Sequence, residues 1–92
     1  MNVWEEAILK IIHSGGGEAD TQHIYSDLEA GAFLRLTEQD LRETVHGGRP
    51  AYQHQVRSHL SNLVQAGHLK KVGRGTYSLT PHGLRRVRGK VL

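Results

Sequence analysis

Residues 51–80 read AYQHQVRSHLSNLVQAGHLKKVGRGTYSLT. In the first half of this stretch Tyr52, Val56, Leu60, Leu63 and Val64 recur at helical spacing, so they form one apolar stripe. The spacing predicts a long helix over about 51–66, with Gly67 as the residue just past its end. In the second half, residues 69–72 and 76–79 read as short strands. Gly73-Arg74-Gly75 between them suits a hairpin turn, because glycine supplies the positive φ that such turns need. A long helix that runs straight into a basic hairpin is the feature on which the fold depends.

Upstream, Trp4, Ala7, Ile8, Ile11 and Ile12 make a second apolar stripe and predict a helix over 3–13, ended by Ser14-Gly15-Gly16-Gly17. Glu18-Ala19 suits a short strand. A helix capped by Asp20 or Thr21 follows to about residue 29 and buries Ile24, Tyr25 and Leu28. Thr37-Glu38-Gln39-Asp40 resembles a capping box with Asp in place of the usual Glu or Gln, and opens a short helix to about residue 44. Residues 46–50, His-Gly-Gly-Arg-Pro, form a loop. Downstream, Thr80-Pro81 starts a final basic helix, with proline at its first position. The expectation is an α+β chain, mainly helical: a winged helix-turn-helix with a three-helix core, a β-hairpin wing and an extra C-terminal helix, in one domain over residues 1–92.

The 92 residues contain no cysteine, which excludes disulfides, thiolate metal sites and a cysteine nucleophile. No apolar run approaches a membrane span, and the acidic N-terminal stretch MNVWEEAILK is unlike a signal peptide, so a cytoplasmic protein is expected. The net charge of +3 conceals a sharp division. Residues 1–46 carry three basic residues against nine acids, whereas residues 47–92 carry nine basic residues and no acid. Such polarity points to a polyanion as partner, and nucleic acid is the commonest one.

On the long helix the face opposite the apolar stripe holds His54, Ser58, Ser61 and Gln65, flanked by Arg57 and Asn62. Each can hydrogen-bond and none would repel phosphate. His54, Arg57, Ser58, Ser61 and Asn62 are therefore the expected base-reading residues in a major groove. Arg49, Lys70, Lys71 and Arg74, with Thr76 beside them on the wing, are expected to hold phosphates, and Arg74 at the turn reaches furthest from the core. Lys70 and Lys71 also have a simpler reading, as charges that protect an edge strand from pairing. The cluster Arg85, Arg86, Arg88 and Lys90 reads first as a solvated face, with phosphate or partner contact as the other reading. The seven histidines include no i, i+4 pair and the second half holds no carboxylate, so no metal is expected. No P-loop, Gly-x-Ser-x-Gly or nuclease-type Glu-x-Lys motif is present, so neither catalysis nor a cofactor is expected.

A longer pattern runs from AIL at 7–9 and GGEA at 16–19 through Ile24-Tyr25, Leu36-Thr37 and Asp40-Leu41. It continues through Arg49, Tyr52, Val56-Arg57, Leu60, Leu63, Ala66-Gly67 and Leu69 to Gly75-x-Tyr77-x-Leu79-Thr80 and Gly83. This pattern, over about residues 4–83, resembles the N-terminal winged-helix domain of Mrr-type restriction system proteins. The resemblance implies a duplex DNA-binding domain that precedes a nuclease domain. This chain ends before any nuclease, so the expectation is a restriction-system targeting domain or a small transcriptional regulator, without cleavage activity. Two alternatives stand beside it. One is a protein-interaction winged helix that sets its basic face on an acidic partner and carries an apolar patch near Phe33, Leu34 and Leu36. The other is a nuclease subunit that relies on a second chain for its acids. Homodimerisation through the first and last helices is compatible with the pattern and not specified by it.

Overall fold

Among the described residues, four of the five helices begin where a side-chain oxygen takes over backbone donors that the first turn leaves free. Asn2 Oδ1 accepts from the Trp4 and Glu5 N–H groups, Asp20 Oδ1 from His23, Thr37 Oγ1 from Asp40 and Thr80 Oγ1 from Gly83. In the computed structural model, which describes residues 2–44 and 47–89, these caps open α1 (Val3–Ser14), α2 (Thr21–Glu29), α3 (Glu38–Arg42) and α5 (Pro81–Arg88). The box at α3 is reciprocal, because the Thr37 N–H donates to Asp40 Oδ2 at 2.9 Å. The longest helix, α4 (Ala51–Gln65), starts after Pro50 with no side-chain cap, and its stability rests on burial. His46, Lys90 and the rest of the C-terminal run lie outside the described residues.

Three strands, β1 (Glu18–Asp20), β2 (Leu69–Gly73) and β3 (Thr76–Leu79), form an antiparallel sheet in the order β1-β3-β2. The expected hairpin is thus extended by β1, which puts β3 in the middle with Tyr77 opposite both Ala19 and Lys71. The sequence treats the hairpin as two-stranded because three residues are too few to show a period, and the β1–β3 pairing spans most of the chain. Gly75 closes the turn at φ 73°, a conformation that a side chain would strain, and its carbonyl accepts from the Thr21 N–H at 2.9 Å. That bond ties the tip of the hairpin to the start of α2.

The core is built mostly from three helices. Ile8, Leu9, Ile11 and Ile12 of α1 meet Ile24 and Leu28 of α2 and Val56, Leu60 and Leu63 of α4, all fully buried. Each such side chain contributes roughly 1.5–3 kcal/mol of burial. Val64 does not join them: it lies about 80° around the helix from Val56 and is exposed. Tyr52 and Tyr25 are both buried, with rings edge to face at 6.1 Å. The Tyr52 hydroxyl donates to the Glu29 carboxylate, which joins the end of α2 to the start of α4. Burial, reinforced by that carboxylate, pushes Tyr52 up to about 12. The five helices and three-stranded sheet are compatible with a winged helix-turn-helix.

Helix α5 folds back onto α1 through Arg86, which sequence alone assigns to a solvated face. Its Nε donates to Glu6 Oε1 at 3.1 Å, and its Nη1 stands 3.8 Å from Glu5 Oε1 and 3.3 Å from His68 Nδ1. The ring of His68 stacks on His82 at 4.5 Å, while His59 of α4 pairs with Glu5 at 3.1 Å and stacks on Trp4. Burial lowers the His68 pKa, and the charges of Arg86 and His82 lower it further, against a smaller opposing pull from Glu5 and Glu6. A histidine with a depressed folded-state pKa contributes stability that is full above its unfolded value and is lost as the pH falls through the folded one. The melting temperature should therefore drop as the pH is lowered below about 6.5, and His68→Gln should flatten that drop. Calorimetry from pH 8 to 5 checks this; equal slopes for the two proteins would remove His68 from the account.

Candidate nucleic-acid interface

Helix α4 turns Tyr52, Val56, Leu60 and Leu63 inward, which leaves His54, Arg57, Ser58, Ser61 and Asn62 on its exposed side. The loop before it is closed by a bridge between Thr44 and Pro50 and by the Ala51 N–H, which donates to the Glu43 carbonyl at 2.8 Å. This closure sets Arg49 at the head of the same side. Arg49, His54, Arg57, Ser58, Ser61 and Asn62 together line one shallow cleft of about 520 Å³. All five expected base-reading residues are thus brought together, with one expected phosphate contact at their edge.

A second cleft, of about 360 Å³, opens between α2, α4 and the β2–β3 turn. Arg49, Arg57, Lys71 and Arg74 line it together with Thr21, Gln22, Tyr25, Gln53 and Tyr77. Arg49 and Arg57 belong to both clefts, so the exposed side of α4 and the wing form one continuous basic surface. Among the described residues none of these four cations makes an ion pair, and neither cleft has an acidic side chain in its lining. Outside the clefts Arg42 binds Glu38 at 2.6 Å, and Glu5 and Glu6 serve Arg86 and His59. Four unpaired cations on one concave surface favour an anionic ligand strongly.

Two expected wing contacts lie elsewhere. Lys70 and Lys71 are successive residues in a ladder, opposite Ser78 and Tyr77, so the pleat sends them to opposite faces. Only Lys71 reaches the basic cleft. Thr76 lines a separate hollow with Glu18, Asp20 and His23. Conversely, sequence reasoning missed Gln22, Gln53 and Thr21 as cleft residues, because they carry no charge pattern, and counted Tyr25 among the residues that α2 buries, with no role in the site. Tyr25 is 7% exposed, and its outer edge lines the basic cleft. Burial raises its pKa more than Arg57 and Arg49 lower it, so the hydroxyl keeps its proton at neutral pH and remains a donor.

Of the apolar patch expected by the protein-interaction alternative, Phe33 alone is well exposed, at φ 62° with the Leu34 N–H bonded back to Ala32. Leu34 and Leu36 pack against the core. Among the described residues no three histidine or acidic side chains gather as metal ligands, and no helix is long and apolar enough to cross a membrane. A family model for the Mrr N-terminal domain matches residues 4–88, nearly the whole chain. No curated protein and no solved structure matches it.

Proposed function

Since the chain belongs to the Mrr N-terminal domain family, we propose that it is a non-catalytic winged helix-turn-helix module that binds duplex DNA, as a restriction-system targeting domain or a small transcriptional regulator. Helix α4 enters the major groove with His54, Arg57, Ser58, Ser61 and Asn62 toward the bases. Arg49, Lys71 and Arg74 hold the flanking phosphates, and Lys70 adds long-range attraction from the outer face of the wing. The observation that carries this reading is the continuity of the two clefts. Unpaired cations surround a neutral, hydrogen-bonding helix face with no acid among them. Phosphate contacts fix the position of such a helix, and its polar side chains then address base edges.

The test is fluorescence anisotropy of a labelled mixed-sequence 20-mer duplex at 50 and 200 mM salt. Neutralising about six phosphates gives a log–log salt slope near about −5, and hence a loss of two or more decades of affinity between these conditions. Arg74→Ala should weaken binding to every sequence alike and reduce the slope by about one. Loss confined to one sequence would contradict a phosphate role for Arg74. Absence of binding at 50 mM would transfer the basic surface to an acidic protein partner.

A further inference from the structure

The cleft between α2, α4 and the β2–β3 turn differs from the α4 face in three respects. It is smaller and more enclosed, at about 360 Å³ against 520 Å³. It holds four cations drawn from three separate segments: Arg49 from the loop, Arg57 from α4, and Lys71 and Arg74 from the wing. And its lining includes three neutral residues that carry donors, Tyr25, Gln22 and Thr21, which an open phosphate-contacting surface does not require. The volume lies at the lower end of the range for small-molecule sites. The charge exceeds what a single DNA phosphodiester neutralises, since each brings one negative charge. Four cations and neutral donor residues lining one small cleft suit a compact anion that carries three or more charges.

We infer that this cleft is a seat for a free oligophosphate, such as the phosphate tail of a nucleoside polyphosphate, and that its occupation displaces DNA. The inference rests on the DNA reading only for the displacement; the seat itself stands on the cleft. Arg49 and Arg57 flank the anion and also border the α4 face, so a ligand that holds them withdraws two cations from the duplex. The Tyr25 ring is fixed edge to face on Tyr52, which is in turn held by Glu29, so the hydroxyl is presented at a set position.

Inorganic tripolyphosphate is the probe. Titrated into the isotope-labelled chain, it should shift the backbone resonances of Gln22, Tyr25, Arg57, Lys71 and Gly75 along one saturating curve. Tyr25→Phe keeps the ring and removes the donor, and should weaken tripolyphosphate binding roughly ten-fold. Lys71→Gln is a second variant on an exposed strand position and should do at least as much. Arg85→Ala removes an exposed cation outside the cleft and should change nothing. Tripolyphosphate should also release bound duplex at concentrations where sodium chloride of matched ionic strength does not. Shifts scattered over all basic residues, or an Arg85→Ala loss equal to that of Lys71→Gln, would overturn the seat. So would DNA binding without saturable tripolyphosphate binding, or release no greater than matched salt gives. Saturable tripolyphosphate binding at these residues in a chain that binds no duplex would uphold the seat and refute the DNA reading.

Discussion

An Arg57→Ala protein should bind duplex DNA roughly 10- to 100-fold more weakly than the parent while melting at nearly the same temperature. Arg57 lines both clefts, so its loss removes a cation from the continuous basic surface and a fork-shaped donor from the α4 face together. A good bidentate base contact is worth about 1–3 kcal/mol, and an unpaired exposed arginine contributes little to folding. Arg57→Lys separates the two roles. It restores the charge without the planar fork, so it should recover the salt dependence and only part of the affinity. The check is anisotropy at fixed salt on several duplexes, beside a thermal melt of each variant. A loss below about three-fold for Arg57→Ala would mean that α4 does not lie at the centre of the interface.

Gly83→Ala should be the most damaging single substitution outside the apolar core. In a helix interior, glycine to alanine ordinarily gains about 1 kcal/mol. Here the sign reverses, because a Cβ on Gly83 would stand 2.0 Å from the carbonyl oxygen of His68 and 2.9 Å from its carbonyl carbon. Both are backbone atoms, held by the Thr80 N–H bond to that same oxygen and by the adjoining strand β2. Helix α5 would have to lift away, which would stretch the Arg86 contacts to Glu6 and His68 and the stack of His68 on His82. Overpacking of this kind costs about 3 kcal/mol or more, which in a domain of this size lowers the melting temperature by roughly 10–20 °C. Gly89→Ala is the control, since nothing lies within 4 Å of its added carbon. Scanning calorimetry decides: a Gly83→Ala protein that melts at or above the parent would show that α5 does not rest on residue 68.

The local features of this chain were legible because they are set by neighbours in sequence. The apolar stripes of α1 and α4 follow the helical period, and Asp20, Thr37 and Thr80 were readable as caps from their positions before those runs. Gly75 in the turn was readable for the same reason. The exposed face of α4 followed once its buried face was known, so all five expected reading residues came out on one surface. Where the reading went astray, the deciding partner lay far off in sequence. Arg86 reads from sequence as one member of a solvated basic run, but Glu6, 80 residues away, and the neighbouring Glu5 pair with it. Tyr25 reads from sequence only as a residue on the buried side of α2, because periodicity reports which way it points, not which cleft its outer edge lines.

By itself, then, the sequence determined the helices, the hairpin, the separation of acidic and basic halves and the polar face of α4, because period, capping and turn chemistry act over a few residues. Only the tertiary structure decided which charges are free. Folding brings α5 onto α1 and neutralises Arg86, pairs β1 with β3, and divides Lys70 from Lys71 across the pleat. It also brings Arg49, Arg57, Lys71 and Arg74 into one cleft with Tyr25, with no acidic side chain in its lining. Attraction between charges depends on distance through space and on burial, and neither is written in the spacing of residues along a chain.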